Sequence, residues 1–364
     1  MKFTCDSNQL SKACMNVQRT VANKTTIPAL EGILFSCQDN KLLLTGYDLE
    51  VGSEIYLDAD VQTQGSIILN AKHICDILRM LPDDDVSLST DDRNICKIVC
   101  GETEYSLIGI PSHEYPDLPV ITSGLPITIS QELLNDMIKK TIFSVSVGEK
   151  NPVHNGVKFE IEDGKIVLIA VDGARLAIRR ELIDYQGEKL DFVVPAKALN
   201  EITKLSEQED LNYTINVGKR HITFEIDGYK IISRLLEGEF LNYKTALPTS
   251  YTTTVVAQTK RVIECVERTS LIITDKQSPV RCIIDENMMK FSSVTAIGTA
   301  NDKMEAEVQG KKVEIGFNKR FVLEALKACD ESEINLGFNS SSQPIIITPL
   351  EGEDFFFLVL PVRI

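Results

Sequence analysis

The chain has 364 residues, 43% of them hydrophobic and 25% charged, a globular composition that excludes a disordered or membrane-embedded protein. Its longest strongly apolar run, Phe355 to Leu360, is far shorter than the roughly 20 residues a membrane-spanning helix needs. The net charge of −15 argues against nucleic acid unless the two signs are segregated along the chain.

The elements read in chain order as one pattern repeated. A strand at Met1 to Cys5 leads into a helix over 7–24, where Leu10, Ala13, Cys14, Val17 and Val21 form an apolar stripe. No apolar stretch follows Lys2, so a secretory signal is not expected, and a cytoplasmic, nucleoid-associated protein is. Alternating strands around Asp39-Asn40 come next, then a helix over 71–81 with Ile74, Ile77, Leu78 and Leu81 on one face. A strand at Pro126 to Ile129, a helix over 130–141, strands around Asp163-Gly164 and a helix over 196–205 repeat that order. It returns with a strand at Thr252 to Ala257 and helices over 258–268 and 318–329, the last carrying Phe321, Val322, Ala325 and Leu326.

Landmarks fix the period. Pro28-Ala-Leu-Glu-Gly, Pro152-Val-His-Asn-Gly and Pro279-Val-Arg-Cys are spaced by 124 and 127 residues. Ala71-Lys72, Ala196-Lys197 and Asn318-Lys319 are spaced by 125 and 122. Leu118-Pro119 and Leu247-Pro248 close the first two repeats. The reading is three domains of one ancestry, 1–123, 124–247 and 248–364, each an α+β layer of antiparallel sheet with two helices on one side.

The charge is segregated. The six helical spans hold 15 Lys+Arg against 7 Asp+Glu, leaving 23 basic and 46 acidic residues elsewhere. Basic pairs seven apart share a helix face: Lys12 and Arg19, Lys72 and Arg79, Lys197 and Lys204, Arg261 and Arg268, Arg320 and Lys327. Lys139 and Lys140 stand together in the remaining helix. A positive face repeated on an acidic body suits a concave surface turned toward phosphates and read without regard to sequence.

Other chemistry is absent from the pattern. Nine cysteines include no Cys-x-x-Cys pair and the four histidines are scattered, so reduced core thiols are expected and no metal or cofactor is. No phosphate-binding glycine loop, His-x-x-x-His or Gly-x-Ser-x-Gly is present, so no enzyme is expected. Asp48 and Asp172 recur at equivalent positions after a strand, where structural hydrogen bonding is the expected role. An acidic protein-binding scaffold remains the rival reading.

Five stretches in order, Met1-Lys-Phe-Thr, Leu44-Thr-Gly-Tyr-Asp-Leu-Glu50, Val171-Asp-Gly-Ala-Arg-Leu-Ala177, Glu314-Ile-Gly-Phe-Asn318 and Leu360-Pro-Val-Arg-Ile364, resemble the bacterial DNA polymerase III β-subunit family, the sliding clamps. The resemblance covers the whole chain. It implies three clamp domains per subunit and a head-to-tail homodimer that closes as a six-domain ring with helices inside. It implies a non-catalytic processivity factor that encircles double-stranded DNA. The partners it implies are the replicative DNA polymerase, the clamp loader, and repair and translesion polymerases, with no membrane. Lys12, Arg19, Lys24, Lys72, Arg79, Lys139, Lys140, Lys197 and Lys204 would line the DNA path.

Carried over by position, a peptide groove between the second and third domains would use His154, Val171, Asp172, Gly173, Arg175, Leu176, Leu241, Ala246, Phe321, Leu358, Leu360, Pro361, Val362 and Arg363. Leu176, Leu358 and Leu360 would form apolar pockets, and Arg175 and Arg363 polar edges. His154 stands where an apolar residue is expected, and Ala174 and Thr245 also depart from the family pattern. Tyr105 and Leu107 on an edge strand of the first domain would meet Leu271 and Ile272 of the partner's third domain at the dimer seam.

Overall fold

The computed structural model describes residues 1–121, 125–148, 151–205, 210–275 and 278–364; the expected boundary at 123/124 lies outside the described residues. Six α-helices occur among them: α1 (Ser7–Gln18), α2 (Ala71–Met80), α3 (Gln131–Ile142), α4 (Ala196–Ile202), α5 (Thr259–Thr269) and α6 (Lys319–Lys327). Asp6, Asn70 and Asn318 cap α1, α2 and α6 by accepting the amides of Gln9, His73 and Arg320. The apolar stripes face inward. Leu10, Cys14, Val17, Ile74, Leu78, Val322, Ala325 and Leu326 are all buried.

Two helices are shorter than their periodicity suggests. The first stops at Gln18 because buried Thr20 turns its hydroxyl back to the Val17 carbonyl at 2.9 Å and to Ser53 Oγ at 2.5 Å. Val21 is still buried, so the apolar stripe outruns the helix and Lys24 lies in the loop beyond it. α4 stops at Ile202, whose carbonyl accepts the Tyr213 hydroxyl at 2.9 Å, and Lys204 falls in the following turn. Thr141 and Thr269 repeat the Thr20 device near the ends of α3 and α5, donating to the Met137 and Cys265 carbonyls.

The chain forms two compact units, Met1–Glu132 with Lys197–Leu235 and Leu133–Ala196 with Leu236–Ile364. This division cuts the middle repeat because sheets continue from one repeat into the next. In the first unit, a nine-stranded sheet joins Val51–Asp58 of the first repeat to Tyr229–Arg234 of the second, with Ser53 opposite Ile231. A second sheet of five strands ends at Thr103–Ile108. In the second unit, the nine-stranded sheet joins Arg175–Leu182 to Phe355–Val359, with Ala177 opposite Phe357. A four-stranded sheet there ends at Gly298–Glu305. Hairpin turns sit where the turn residues place them: Asp39-Asn40, Asp163-Gly164 and Glu286-Asn287 all have positive φ.

All nine cysteines are free, and eight are buried. Burial pushes the thiols of buried Cys75 and partly buried Cys5 up to about 12, which keeps both protonated near neutral pH. Among the described residues no group of His, Cys, Asp or Glu is arranged to hold a metal, and no helix is long and apolar enough to cross a membrane.

Candidate nucleic-acid interface and partner groove

The basic residues fall into two groups by what holds their charge. In the first unit α1 and α2 pack on each other, and Lys12, Lys24 and Lys72 are exposed. Arg79 reaches Asp76 at 3.6 Å and the Met15 sulfur at 4.0 Å. Arg19 donates to the Lys204 carbonyl at 3.5 Å, which brings the end of α1 to the turn after α4. Lys197 is paired with Asp48, and Lys204 lies 3.3 Å from Glu201. These contacts are solvent-exposed on the basic side, where ion pairs are weak and exchangeable.

The second unit is different. Lys139 is exposed, but its neighbour Lys140 is only 12% exposed and lies 2.9 Å from Asp136 and 3.1 Å from Asp330. Burial alone would lower its pKa; the hydrogen bonds to Asp136 and Asp330 outweigh that and raise it. Lys140 is therefore removed from the expected DNA-lining set: one residue further along α3 turns it about 100° toward its carboxylates. On α5 and α6, Arg268 is bonded to Asp302 at 2.7 Å and Lys327 to Glu267 at 2.6 Å. Lys319 donates to the carbonyls of Ser270 and Ile273. Within the observed helix bounds 12 Lys+Arg face 7 Asp+Glu, a smaller excess than expected because Arg19, Lys24 and Lys204 lie past helix ends. Replacing Lys139 by alanine should slow loading onto nicked circular DNA while leaving the melting temperature unchanged. Lys140→Ala should lower the melting temperature and leave loading unchanged, as loading kinetics and calorimetry on the two variants would tell.

The recurring aspartates are turn builders. Asp48 Oδ1 accepts the amides of Glu50 and Val51, and Asp172 Oδ1 those of Ala174 and Arg175. One oxygen of each carboxylate is thus spent on its own turn, and the other holds a cation, Lys197 at Asp48 and Arg175 at Asp172. The next residue has positive φ in each case, 75° at Leu49 and 86° at Gly173, and only the second repeat places a glycine there.

The expected groove residues separate into three neighbouring sets in the second unit. Val171, Leu176 and Leu358 join Ile169, Ile178, Tyr243 and Ile346 in one buried apolar cluster, with Phe240 and Leu247 packed against it. Each residue of the cluster is at most 5% exposed, whereas Leu241 and Leu360 are 47% and 41% exposed. Ala246 and Thr245 are exposed on the short helical turn that contains Tyr243. His154 meets Phe240 edge-on at 5.2 Å, and burial lowers its pKa.

Asp172, Arg175 and Phe321 form the second set. Arg175, expected as a polar edge, is 6% exposed. Its Nε donates to Asp172 at 2.8 Å, its Nη1 to Glu324, and its guanidinium lies 4.5 Å from the Phe321 ring and 5.6 Å from Phe143. Both carboxylates and both rings saturate it, so it is a structural tie between the Asp172 turn and α6. The third set is the C-terminal segment. The Leu360 amide bonds to the Ala174 carbonyl and that of Val362 to Gly316, each at 2.8 Å. Pro361, Val362 and Arg363 thereby line an open cleft of about 670 Å³ with Glu314 and Ser342.

Tyr105 and Leu107 lie on the edge strand Thr103–Ile108, opposite Ile98 and Cys96. Leu271 is 80% exposed and Ile272 partly so, in the turn that follows α5. The sequence reading missed Tyr243 and Phe240. A signal existed: Tyr115 and Tyr243 both precede a Leu-Pro landmark, and both hydroxyls donate to groups distant in sequence, the Thr45 carbonyl at 3.3 Å and Glu160 Oε2 at 2.9 Å.

Comparison with known proteins gives one answer along the whole chain. Family models of the DNA polymerase III beta subunit match in order: the N-terminal domain over residues 1–119, the central domain over 128–242 and the C-terminal domain over 244–363. The chain is similar to the beta sliding clamp of Halalkalibacterium halodurans, 29% identical over 378 residues and covering all of both chains. It is similar to that of Staphylococcus epidermidis, 28% identical over 374 residues, covering all of this chain and 99% of the other. The fold matches the crystal structure of the DNA polymerase sliding clamp from Bacillus subtilis with a TM-score of 0.97 at 28% identity, covering 100% of this chain and 99% of that one. The matches run in order through all three repeats, and the chain belongs to the DNA polymerase III beta subunit family.

Proposed function

We infer that this chain is a sliding clamp, a non-catalytic processivity factor that encircles duplex DNA and tethers a DNA polymerase to its template. The observation that carries this is a rule of sheet pairing. Within the chain, the strand after each Asp turn pairs with the last strand of the following repeat: Val51–Asp58 with Tyr229–Arg234, and Arg175–Leu182 with Phe355–Val359. The third repeat's counterpart, Gly298–Glu305, and the first repeat's equivalent of Tyr229–Arg234, Thr103–Ile108, are left as sheet edges. Applied once more between two copies, the rule pairs these edges and yields a closed head-to-tail dimer.

The register follows. Asp58, Leu182 and Glu305 end equivalent hairpins, so Asp302 corresponds to Ile55 and Arg179, which pair with Tyr229 and Phe355. Thr103 then faces the partner copy's counterpart of Asp302, Tyr105 that of Ala300 and Leu107 that of Gly298. A Tyr105→Cys, Ala300→Cys double variant should form an interprotomer disulfide under mild oxidation. A protein that stays entirely monomeric on a denaturing gel would contradict the register.

A closed ring holds DNA by topology, so loosely held lysines suffice: firm neutralisation of even six phosphates would cost about 10³-fold in affinity from 50 to 200 mM salt and hinder sliding. Lys12, Arg19, Lys24, Lys72, Arg79, Lys139, Lys197 and Lys204 are assigned to the DNA path. Changing Lys12, Lys24, Lys72 and Lys139 together to alanine should slow loading by roughly 10-fold or more at low salt. Loading kinetics on nicked circles check this, and an unchanged rate would remove these residues from the path. The apolar floor of Val171, Leu176 and Leu358 with the open Leu241 and Leu360 is the proposed dock for peptides of the replicative polymerase, the clamp loader, and repair and translesion polymerases at the nucleoid. Domains at 1–123, 124–247 and 248–364 complete the reading.

A further inference from the structure

Between the exposed Leu241 and Ala246 lies a residue that is neither exposed nor simply core. Tyr243 is 5% exposed, and its ring belongs to the apolar cluster of Val171, Leu176 and Leu358. Its hydroxyl leaves that cluster and donates to Glu160 Oε2 at 2.9 Å. Glu160, on the strand Gly156–Glu162, is held in turn by Lys158 at 3.0 Å and approached by Lys244 at 3.8 Å. Lys158 also binds Asp191 at 3.0 Å, and its ammonium lies 5.7 Å from the centre of the Phe240 ring. The segment from Phe240 to Lys244 is therefore fastened to the sheet by side chains at three of its five positions. Burial alone would raise the Glu160 pKa, but the hydrogen bonds from Lys158 and Tyr243 lower it, so the acceptor is a carboxylate near neutral pH.

We propose that Tyr243 is a positioning residue for peptide docking: the Tyr243–Glu160 hydrogen bond fixes the segment that presents Leu241 and Ala246, and so sets one wall of the groove. The proposal rests on the reading of this region as a peptide dock. A hydrogen bond to a partly buried charged acceptor resists local opening, and pre-ordering a wall spares the ligand the ordering cost on binding. The segment is otherwise held by one short helical turn and by Phe240, which packs on the apolar cluster and on His154.

The test is fluorescence anisotropy with a short labelled peptide carrying Leu and Phe at alternate positions, on the full-length protein. Tyr243→Phe keeps the ring and loses the latch, and should bind about three- to ten-fold more weakly, through a faster off-rate. Glu160→Leu should weaken binding by a similar factor, and the double variant should be no weaker than either alone. Glu160→Gln retains an acceptor for the hydroxyl and should restore affinity to within about two-fold of wild type. Sedimentation and retention on circular DNA should be unchanged in all four, which separates a local latch from general unfolding. Wild-type affinity in Tyr243→Phe, or additive losses in the double variant, would overturn the latch. A wild-type protein that stays on circular DNA yet ignores the peptide would overturn the groove reading itself.

Discussion

Replacing Leu271 and Ile272 together by aspartate should leave a folded protein that sediments at 40.6 kDa, as a monomer in place of a dimer. Leu271 is 80% exposed in the isolated subunit, so a charge there costs the fold little. In the dimer the same position lies at the proposed seam. Two carboxylates there would be desolvated without partners, at a cost of several kcal/mol against an interface of edge-strand hydrogen bonds and a few apolar contacts. Ile108, 85% exposed on the complementary edge strand, should respond in the same way to a charge. The monomer should melt as wild type does at low concentration and lose retention on circular DNA, because an open arc has no topological hold. An intact dimer in sedimentation velocity would move the seam elsewhere.

Arg175→Ala should give the largest loss of stability among the residues carried over to the groove. The substitution removes the counter-charge of Asp172 and Glu324 and the cation between Phe321 and Phe143. Breaking a buried pair from one side costs about 3–5 kcal/mol; Glu324 is 37% exposed and can rehydrate, so about 2–4 kcal/mol is expected here. Arg175→Lys keeps the charge but not the planar fork or the ring stacking, and should recover less than half of the loss. Denaturant unfolding of the three proteins measures both. Equal midpoints for wild type and Arg175→Ala would mean that the two carboxylates are satisfied by water in the native state.

The repeat, the turns and the charged helices were legible because each depends on residues close in sequence. Asp163-Gly164 specifies its hairpin locally, and the spacing of Leu10, Cys14 and Val17 specifies a buried face. What depends on distant partners was not legible. Lys140 looks like Lys139 until Asp330 arrives from 190 positions away. Arg175 reads as a polar edge, and nothing near it in sequence indicates that Glu324 and Phe321 close on it. Helix ends failed for a similar reason: Val21 continues the apolar period, but Thr20 has already found Ser53 on another strand. The sharing of sheets between repeats is the largest such omission. No pattern inside Val51–Asp58 indicates that its neighbour will be Tyr229–Arg234. Resemblance supplied the groove by position, yet it said nothing of Tyr243, whose significance lies in one bond to Glu160.

The central claim is that two copies close around DNA and are held there by topology. The most direct test loads the protein onto a nicked circular duplex with a clamp loader and ATP, then follows its retention by gel filtration before and after the circle is cut once. The account predicts that the protein stays on the circle through washes at high salt and runs off as soon as the DNA is linearised. Retention that is equal on circular and linear DNA and falls steeply with salt would contradict it, because binding would then be electrostatic and no ring would be required.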